Sequence, residues 1–311
     1  MQLAPGAWCL NLETPTLPPA TATNTLVLGT DRLLVVEPAT PHAREQARLD
    51  ALLDELQAEG RRPYALALTH HHVDHIGYAR ALADRLGVPI YAHAQTAARL
   101  DFEVESIDEG WRCDLGGGQV VEALFTPGHA PGHLVFWEHA TAVAHVGDLV
   151  AGEGSILIDA SDGGDMSAYL DSLRRMLARC RGPAGELRAT PGDADCDALL
   201  DRASDAGVDR RGSARPGPRF VAAHGPVIED PVALLDGYIR HRLDREAKVR
   251  SAVAEGGARA FQQILASAYA DTPEVLWPFA AMALEAHLRK LVADGVLVSV
   301  AGGYGLGPGP G

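Results

Sequence analysis

A run of four imidazoles and one carboxylate within seven residues constrains this chain more than any other feature. It reads Thr69-His70-His71-His72-Val73-Asp74-His75 and directly follows an apolar stretch, Tyr64 to Leu68. Neutral imidazoles and carboxylates are the usual nitrogen and oxygen ligands of zinc and its neighbours. His70 and His72 would point about 200° apart on a helix, so they could share an ion only at a strand end or in a loop. The run therefore predicts a metal-binding loop.

Helical spacing of apolar residues follows the run, at Ile76, Ala79, Leu82, Ala83 and Leu86. Asp74 and His75 would then project from the start of a helix. The segment predicts strand, ligand loop and helix in that order. The alternative is a surface histidine run or a tag remnant, but tags sit at termini and lack the interleaved aspartate.

Three further segments carry a histidine or an aspartate. They are, in sequence order, Thr126-Pro127-Gly128-His129, Gly147-Asp148 and Ala223-His224-Gly225-Pro226. With the first run, they resemble the signature of the metallo-β-lactamase-fold hydrolases, which bind two metals. The tail from Tyr238 to Glu246 resembles more narrowly the subgroup of the animal β-lactamase-like endoribonuclease and its bacterial relatives. Glyoxalase II-type thioesterases share the first motifs but not that tail.

The resemblance implies two divalent metal ions. We expect zinc, with iron or manganese as alternatives, because imidazole and carboxylate ligands discriminate weakly among these metals. The first metal would be held by His70, His72 and His129, the second by Asp74, His75 and His224, with Asp148 bridging the two. Asp74 would also be the catalytic residue that orients a metal-bridging hydroxide or accepts a proton as it attacks.

The remaining histidines lack ligand spacing. We expect His71 to pack beside the ligands and His133 to orient one of them. We expect most of the others to be ordinary surface or helix-end residues: His42, His93, His139, His145, His241 and His287. Two positions depart from the family, Glu37 where many relatives have aspartate and Tyr78 where many have a second glycine. Neither is expected to touch a ligand, although Tyr78 would narrow the entrance of the site.

The resemblance implies an α/β fold, the αββα metallo-β-lactamase sandwich, over residues 1–230, with a winged-helix-like domain over 231–311. A hairpin is predicted for Thr23–Gly29 and Arg32–Glu37. Residues 179–219, rich in Gly, Pro, Asp and Arg, form an insertion that is either a flap near the metals or a surface segment. Arg242 and Arg245, one turn apart on a predicted helix, are candidates for contact with an anionic substrate, and the alternative is that they pair with acids of the first domain.

The charge of the chain bears on its substrate. The net charge is -14, and the excess lies in residues 1–230, with 19 basic against 33 acidic residues, while residues 231–311 carry eight of each. Nucleic-acid binders usually carry a basic face, so the charge disfavours RNA. The first interpretation is hydrolysis of a small ester, thioester or lactone. The alternatives are a metal-dependent endoribonuclease on single-stranded RNA and an iron-containing oxidoreductase or sensor.

Membrane and redox features complete the expectations. No window approaches the roughly 18 apolar residues that span a bilayer, and residues 1–12 lack the features of a signal peptide. We therefore expect a cytoplasmic protein without a membrane partner. Its four cysteines are scattered and are expected to be free thiols. The C-terminal domain, neutral overall, is expected to serve packing or formation of a homodimer at least as much as nucleic-acid binding.

Overall fold

The structure, a computed structural model, describes residues 1–182, 217–254 and 258–307. The chain divides into two compact units. The first comprises Met1–Thr126, Gly132–Ser155 and Met176–Val232, and the second comprises Pro127–Pro131, Ile156–Arg175 and Ala233–Gly311. The domain boundary at 230/231 stays a prediction. The predicted insertion 179–219 lies outside the described residues except at its two ends.

The first unit contains a seven-stranded sheet in the order β1-β2-β3-β4-β5-β6-β7. Its strands are β1 (Gln2–Ala4), β2 (Ala7–Glu13), β3 (Ala22–Leu28), β4 (Arg32–Val36), β5 (Arg62–Ala67), β6 (Ile90–His93) and β7 (Glu105–Ile107). Strands β1 to β4 are antiparallel neighbours, and β4 to β7 are parallel. The predicted hairpin is confirmed, because Leu26 pairs with Val36 across β3 and β4.

The second sheet of this unit has five strands in the order β12-β11-β10-β9-β8. They are β8 (Arg112–Gly116), β9 (Gln119–Phe125), β10 (Leu134–Glu138), β11 (Val143–Gly147) and β12 (Arg219–Ala222). Neighbours are antiparallel except for β11 and β12, which are parallel. A strand over Gln119 to Phe125 is predicted from the sequence and observed with the same bounds.

The core lies between the two sheets and on the outer face of the first. Leu34 and Ala67 of the first sheet pack in one buried cluster with Phe136 and Val221 of the second. The other face of the first sheet packs against helices α1 (Ala43–Ala58) and α3 (Ala79–Leu86). Strands covered on both faces have to be apolar on both, which explains the apolar runs Leu33–Val36 in β4 and Ala65–Ala67 in β5.

The outer face of the second sheet is covered by the last turns of α5 (Met166–Arg181). The Arg179 guanidinium lies 4.9 Å from the centroid of the Trp137 ring and 2.7 Å from the Glu122 carboxylate. The order of layers is therefore helix, sheet, sheet, helix, and the implied αββα sandwich is confirmed.

The predicted helix from Ile76 to Leu86 is instead two helices, α2 (Val73–Ile76) and α3, separated at Gly77 and Tyr78. The Gly77 N–H donates to the Ala39 carbonyl at 3.0 Å, and the Tyr78 N–H donates to the Pro38 carbonyl at 2.9 Å. These bonds to the loop after β4 replace bonds within one continuous helix. A short helix α4 (Ala94–Ala97) follows β6.

Tyr78 does not narrow the entrance of the site, and that expectation was wrong. Its ring is buried in the apolar cluster beneath α1. Its hydroxyl donates to the Asp50 carboxylate of α1, with oxygen distances of 2.9 and 3.1 Å.

The C-terminal part of the second unit consists of helices and one hairpin. They are α6 (Pro231–Ala254), α7 (Phe261–Ala268), a 3-10 turn (Glu274–Leu276), α8 (Trp277–Ala293), β13 (Leu297–Val300) and β14 (Gly303–Leu306). Helices α6, α7 and α8 meet in a buried apolar cluster that includes Val253, Leu265 and Leu288. Three helices followed by a two-stranded wing confirm the predicted winged-helix architecture. Among the described helices, none combines the length and apolar character needed to cross a membrane.

Candidate metal centre

The histidines and carboxylates of the first unit meet where four strands end. Glu37 follows β4, the run from His70 to His75 follows β5, Asp148 follows β11, and His224 stands two residues after β12. Strands β4 and β5 are parallel, as are β11 and β12, so within each pair the carboxyl ends lie side by side. The fold thus gathers residues that are up to 187 positions apart.

The loop after β5 has the form that the spacing of its histidines predicts. His72 has extended backbone angles, φ -65° and ψ 148°, immediately before α2. The Nε2 atom of His70 lies 2.9 Å from the Nδ1 atom of His72, and the Thr69 hydroxyl contacts the other nitrogen of His70 at 2.9 Å. Because the chain is extended, two residues that are two apart present nitrogens to one point.

A second group of ligand atoms forms around α2. Asp74 and His75 project from this helix, as predicted. Nε2 of His75 lies 3.6 Å from Asp74 and 3.8 Å from Asp148. Nε2 of His224 lies 3.5 Å from Asp74 and 3.6 Å from Asp148. The two imidazoles and two carboxylates therefore converge on one volume.

These separations fit a divalent metal. An ion held tetrahedrally at about 2.0–2.2 Å would separate its ligand atoms by about 3.3–3.6 Å. Nε2 of His75 is buried, and it has no hydrogen-bond partner within the described chain. Leaving a buried polar atom unsatisfied costs about 1–3 kcal/mol. A cation bound by His75, His224, Asp74 and Asp148 would remove that cost.

The far nitrogens of both imidazoles are held by the protein. Nδ1 of His75 contacts the Glu37 carboxylate, and Nδ1 of His224 lies 3.0 Å from the Ala22 carbonyl. An Nδ1–H that donates to an oxygen leaves the lone pair on Nε2, which is the arrangement that ligating histidines require.

Glu37 was expected to touch no ligand, and that expectation was wrong. Its second carboxylate oxygen accepts the Thr69 N–H at 2.6 Å. Glu37 is fully buried and has a left-handed φ of 60°, which costs an L-residue about 1–2 kcal/mol. The Thr25 hydroxyl donates to its carbonyl at 2.5 Å and helps to hold this conformation. Glu37 thus orients His75 and anchors the start of the ligand loop.

The electrostatics of the cluster favour a cation. Burial alone would lower the pKa of His75, but the carboxylates of Glu37, Asp148 and Asp74 outweigh it and raise the pKa to about 10. Burial would raise the pKa of Asp74, yet its hydrogen bond with His224 and the charge of His75 hold it well below its usual range. Negative charge is in excess, and a divalent ion would compensate it.

Two buried histidines lie behind the cluster. Nε2 of His133 accepts the Asp148 N–H at 3.1 Å, and its Nδ1 lies 2.8 Å from the Thr126 hydroxyl. His133 therefore orients a predicted ligand, as expected. His145 is fully buried in β11, where Nδ1 accepts the Gly147 N–H at 3.2 Å. The expectation of a surface or helix-end position was wrong for His145 and for His287, which are buried within a strand and within a helix. His93 is at a helix end, as expected, because it is the N-cap of α4.

The remaining predicted site residues stay predictions. His71 is half-buried, with its ring centroid 4.7 Å from that of His72. His129 belongs to the second unit, where its Nδ1 lies 2.7 Å from the Leu157 carbonyl. This bond leaves Nε2 as the nitrogen for a metal.

Arg242 and Arg245 have protein partners in the second unit. Arg242 is buried, donates to the Ile156 carbonyl and lies 5.4 Å from the Tyr169 ring centroid. Arg245 pairs with Asp271 at 2.8 Å. The alternative in which Arg245 pairs with an acid of the first domain is wrong, because Asp271 belongs to the C-terminal domain. Contact of either arginine with substrate stays a prediction.

Comparison with known families gives two matches along the chain. The model of the metallo-beta-lactamase superfamily matches residues 18–179. The model of the beta-lactamase associated winged helix domain matches residues 261–303. The first match includes six of the seven predicted metal ligands, and the second lies within the helices and wing that follow α6.

Individual proteins are similar over most of the chain. The Beta-lactamase-like protein 2 homolog of Caenorhabditis elegans is 25% identical over 280 residues, covering 88% of this chain and 80% of that protein. The Atrochrysone carboxyl ACP thioesterase of Passalora fulva is 26% identical over 288 residues, covering 88% and 71%. A Beta-lactamase domain protein from Burkholderia ambifaria has TM-score 0.73 at 18% identity, covering 99% of this chain and 92% of that chain. This last similarity, between structures, shows the fold alone.

Proposed function

Because the chain belongs to the metallo-β-lactamase superfamily, we propose that it is a dinuclear metal-dependent hydrolase of small ester, thioester or lactone substrates. The observation that carries this proposal is the convergence of His75, His224, Asp74 and Asp148, with nitrogen to oxygen separations of 3.5–3.8 Å. His70, His72 and His129 would hold the first ion, with Asp148 shared between the ions.

Bound divalent cations would supply Lewis-acid chemistry by lowering the pKa of water and polarising the scissile carbonyl. Zinc is the proposed metal, with iron or manganese as alternatives, since the donor set consists of imidazoles and carboxylates.

Asp74 is the proposed catalytic residue. Its side chain keeps 15% of its surface exposed, so it can reach a substrate, and its lowered pKa keeps it ionised near neutral pH. An ionised carboxylate accepts hydrogen bonds and can orient an attacking water. The Thr23 hydroxyl donates to the Asp74 carbonyl at 2.9 Å and fixes the backbone that carries this group.

Two observations favour a carbonyl substrate. The net charge of -14 opposes binding of a polyanion, and a relative that matches 88% of the chain is named a thioesterase. A second candidate, cleavage of single-stranded RNA, is favoured by the winged helix, a fold class that often binds nucleic acid.

A hydrolase panel of thioesters, lactones, phosphodiesters and a short RNA tests the choice. We expect hydrolysis of a carbonyl substrate that is nearly insensitive to salt. The variant Asp148→Asn should lower that rate at least about 100-fold, because losing metal catalysis removes several kcal/mol of transition-state stabilisation. The control Asp171→Asn changes an exposed carboxylate of α5 and should leave the rate within about twofold. RNA cleavage faster than any carbonyl hydrolysis, and lost in Asp148→Asn, would favour the second candidate instead.

A further inference from the structure

Asn24, in the middle of β3, binds the chain on both sides of His224. Its side-chain amide donates to the carbonyl of Ala222 at 2.8 Å and to that of Gly225 at 2.9 Å. Its backbone N–H donates to the Ala223 carbonyl at 2.8 Å. Three hydrogen bonds from one residue thus fix the backbone immediately before and after a predicted ligand.

The same residue is connected to the other side of the cluster through His145. Nε2 of His145 lies 2.9 Å from the Asn24 carbonyl. Because Nδ1 of His145 accepts the Gly147 N–H, the proton of the neutral ring is on Nε2, which donates to Asn24. Asn24 and His145 are both buried.

Gly147 is the residue before Asp148, and its conformation is tightly constrained. It has a φ of 49°, and a Cβ added there would lie 2.5 Å from Nε2 of His133. Its carbonyl accepts the Ala223 N–H at 3.0 Å. The backbone beside Asp148 and the backbone beside His224 are therefore joined directly, and both are tied to β3.

We propose that Asn24 and His145 are positioning residues that together set the separation between Asp148 and His224, and so preorganise the second metal site. The proposal rests on the proposed function. Neither residue contributes a ligand atom. They act on the backbone that carries His224 and Asp148, whose Nε2 atom and carboxylate lie 3.6 Å apart.

The proposal predicts that loss of the Asn24–His145 pair changes the affinities of the two metal sites by different amounts. Loss of groups that orient metal ligands typically weakens metal binding about 10–100-fold. Asp148 is shared, but His224 is predicted to serve only the second ion. A disturbed Asn24–His145 pair should therefore weaken the second metal more than the first.

The test titrates metal-stripped full-length protein with Zn²⁺ against a chromophoric chelator. In His145→Leu both hydrogen bonds are lost, and we expect about 10–100-fold weaker binding of one Zn²⁺ and a smaller change in the other. In His145→Asn the amide oxygen can replace Nδ1 as acceptor from Gly147, and we expect a partial effect. In Asn11→Ala the donor to Oδ1 of Asn24, at 2.9 Å, is removed while all other contacts of Asn24 remain, so this control should stay within about threefold.

A double variant, Asn24→Ala with His145→Leu, adds a second criterion. If the two residues act as one unit, its loss of Zn²⁺ affinity should be smaller than the product of the single losses. Far-ultraviolet circular dichroism identifies variants that fold, and if His145→Leu does not fold, His145→Asn provides the test.

Equal affinities of wild type and folded His145 variants at both sites would overturn the inference while leaving the proposed function intact. Equal weakening of both sites would also overturn it, because the pair would then support the fold in general. Absence of Zn²⁺ binding by the wild type would refute the proposed function itself. Two bound Zn²⁺ without hydrolysis would contradict only the proposed reaction.

Discussion

The buried histidines of the two units are equally hidden from solvent, but their surroundings differ. His75, His133, His145 and His287 are all 0% exposed. In the first unit, protein groups bind both ring nitrogens of His133 and His145 and the Nδ1 atom of His75. In the second unit, neither ring nitrogen of His287 has a hydrogen-bond partner among the described residues.

The charged groups around His75 and those around His287 also have opposite signs. The carboxylates near His75 overcome burial and raise its pKa to about 10. Burial, followed by the nearby charges of Arg242 and Lys290, lowers the pKa of His287 to about 3. Burial of a histidine is therefore no sign of a functional site by itself. Oriented ring nitrogens facing excess negative charge are such a sign, and among these four histidines His75 meets both conditions.

The largest expected effect comes from the carboxylate between the two imidazoles. Asp148→Asn removes one negative charge close to Nε2 of both His75 and His224. We expect the metal content of purified protein to fall from about two ions to less than one, because Asp148 is proposed to serve both sites. Elemental analysis gives the number of metal ions per chain. A content equal to that of wild type would contradict the proposal that the carboxylates around His75 distinguish it as a metal site.

The next effect concerns the orientation of His75. Glu37→Gln keeps the size of the side chain but removes the charge that binds Nδ1. Since such orienting groups typically contribute 10–100-fold in metal affinity, we expect a loss in that range by competitive titration with a chelator. The matched control is Glu45→Gln, a carboxylate 5% exposed at the first turn of α1, which should retain full affinity. Equal losses in both variants would mean that Glu37 acts only through general stability.

A smaller effect, on stability, is expected in the second unit. The pKa of His287 is 6.5 for a free imidazole and about 3 when folded, so the unfolded chain binds more protons between these values. The contribution of His287 to the free energy of unfolding is therefore present above pH 6.5 and is lost as the pH falls toward 3. Between pH 7.5 and 4.5 this amounts to about 2–3 kcal/mol.

His287→Leu should remove that part of the acid sensitivity. At pH 7.5 we expect the variant to be as stable as wild type or slightly more so, because no hydrogen bond to a described partner is lost. Urea unfolding of metal-free protein at both pH values measures the difference, and His42→Leu, at an exposed position before α1, is the control. A wild-type pH dependence unchanged by His287→Leu would show that this imidazole is not held neutral.

The smallest effect is expected for His71, in the middle of the ligand run. Its ring packs against His72, and we predict that it is no ligand. His71→Ala should leave the metal content within about 20% of wild type, since the ligands themselves are retained. A loss as large as that of Asp148→Asn would mean that the loop was misassigned.

The metal-binding loop could be predicted from the sequence because the evidence for it lies within a few consecutive residues. His70 and His72 are two apart after an apolar strand, and this spacing excludes a helix for a shared ion. The strands with alternating or continuous apolar residues were predicted for the same reason, down to the bounds of β9. The fold class and the later ligands depended on the family pattern, which combines segments far apart in the chain.

The orienting residues could not be predicted in this way. Glu37 is 38 residues from His75, and Asn24 is about 200 residues from the segment that it binds. The role of Glu37 depends on the pairing of β4 with β5, and that of Asn24 on hydrogen bonds from β3 to the end of β12, which no local spacing encodes. The break between α2 and α3 was missed because Gly77 and Tyr78 donate to the loop after β4 rather than within a helix. The one local signal was an acidic residue, Glu37, directly after the apolar run Leu33–Val36.

The most direct test is the metal content of the wild-type chain. If the oriented imidazoles and excess carboxylates of the first unit form a dinuclear centre, protein purified without chelators should contain close to two divalent metals per chain by elemental analysis. Zinc is the expected metal. Residual metal only, with no uptake of Zn²⁺ by the folded protein at neutral pH, would contradict the account.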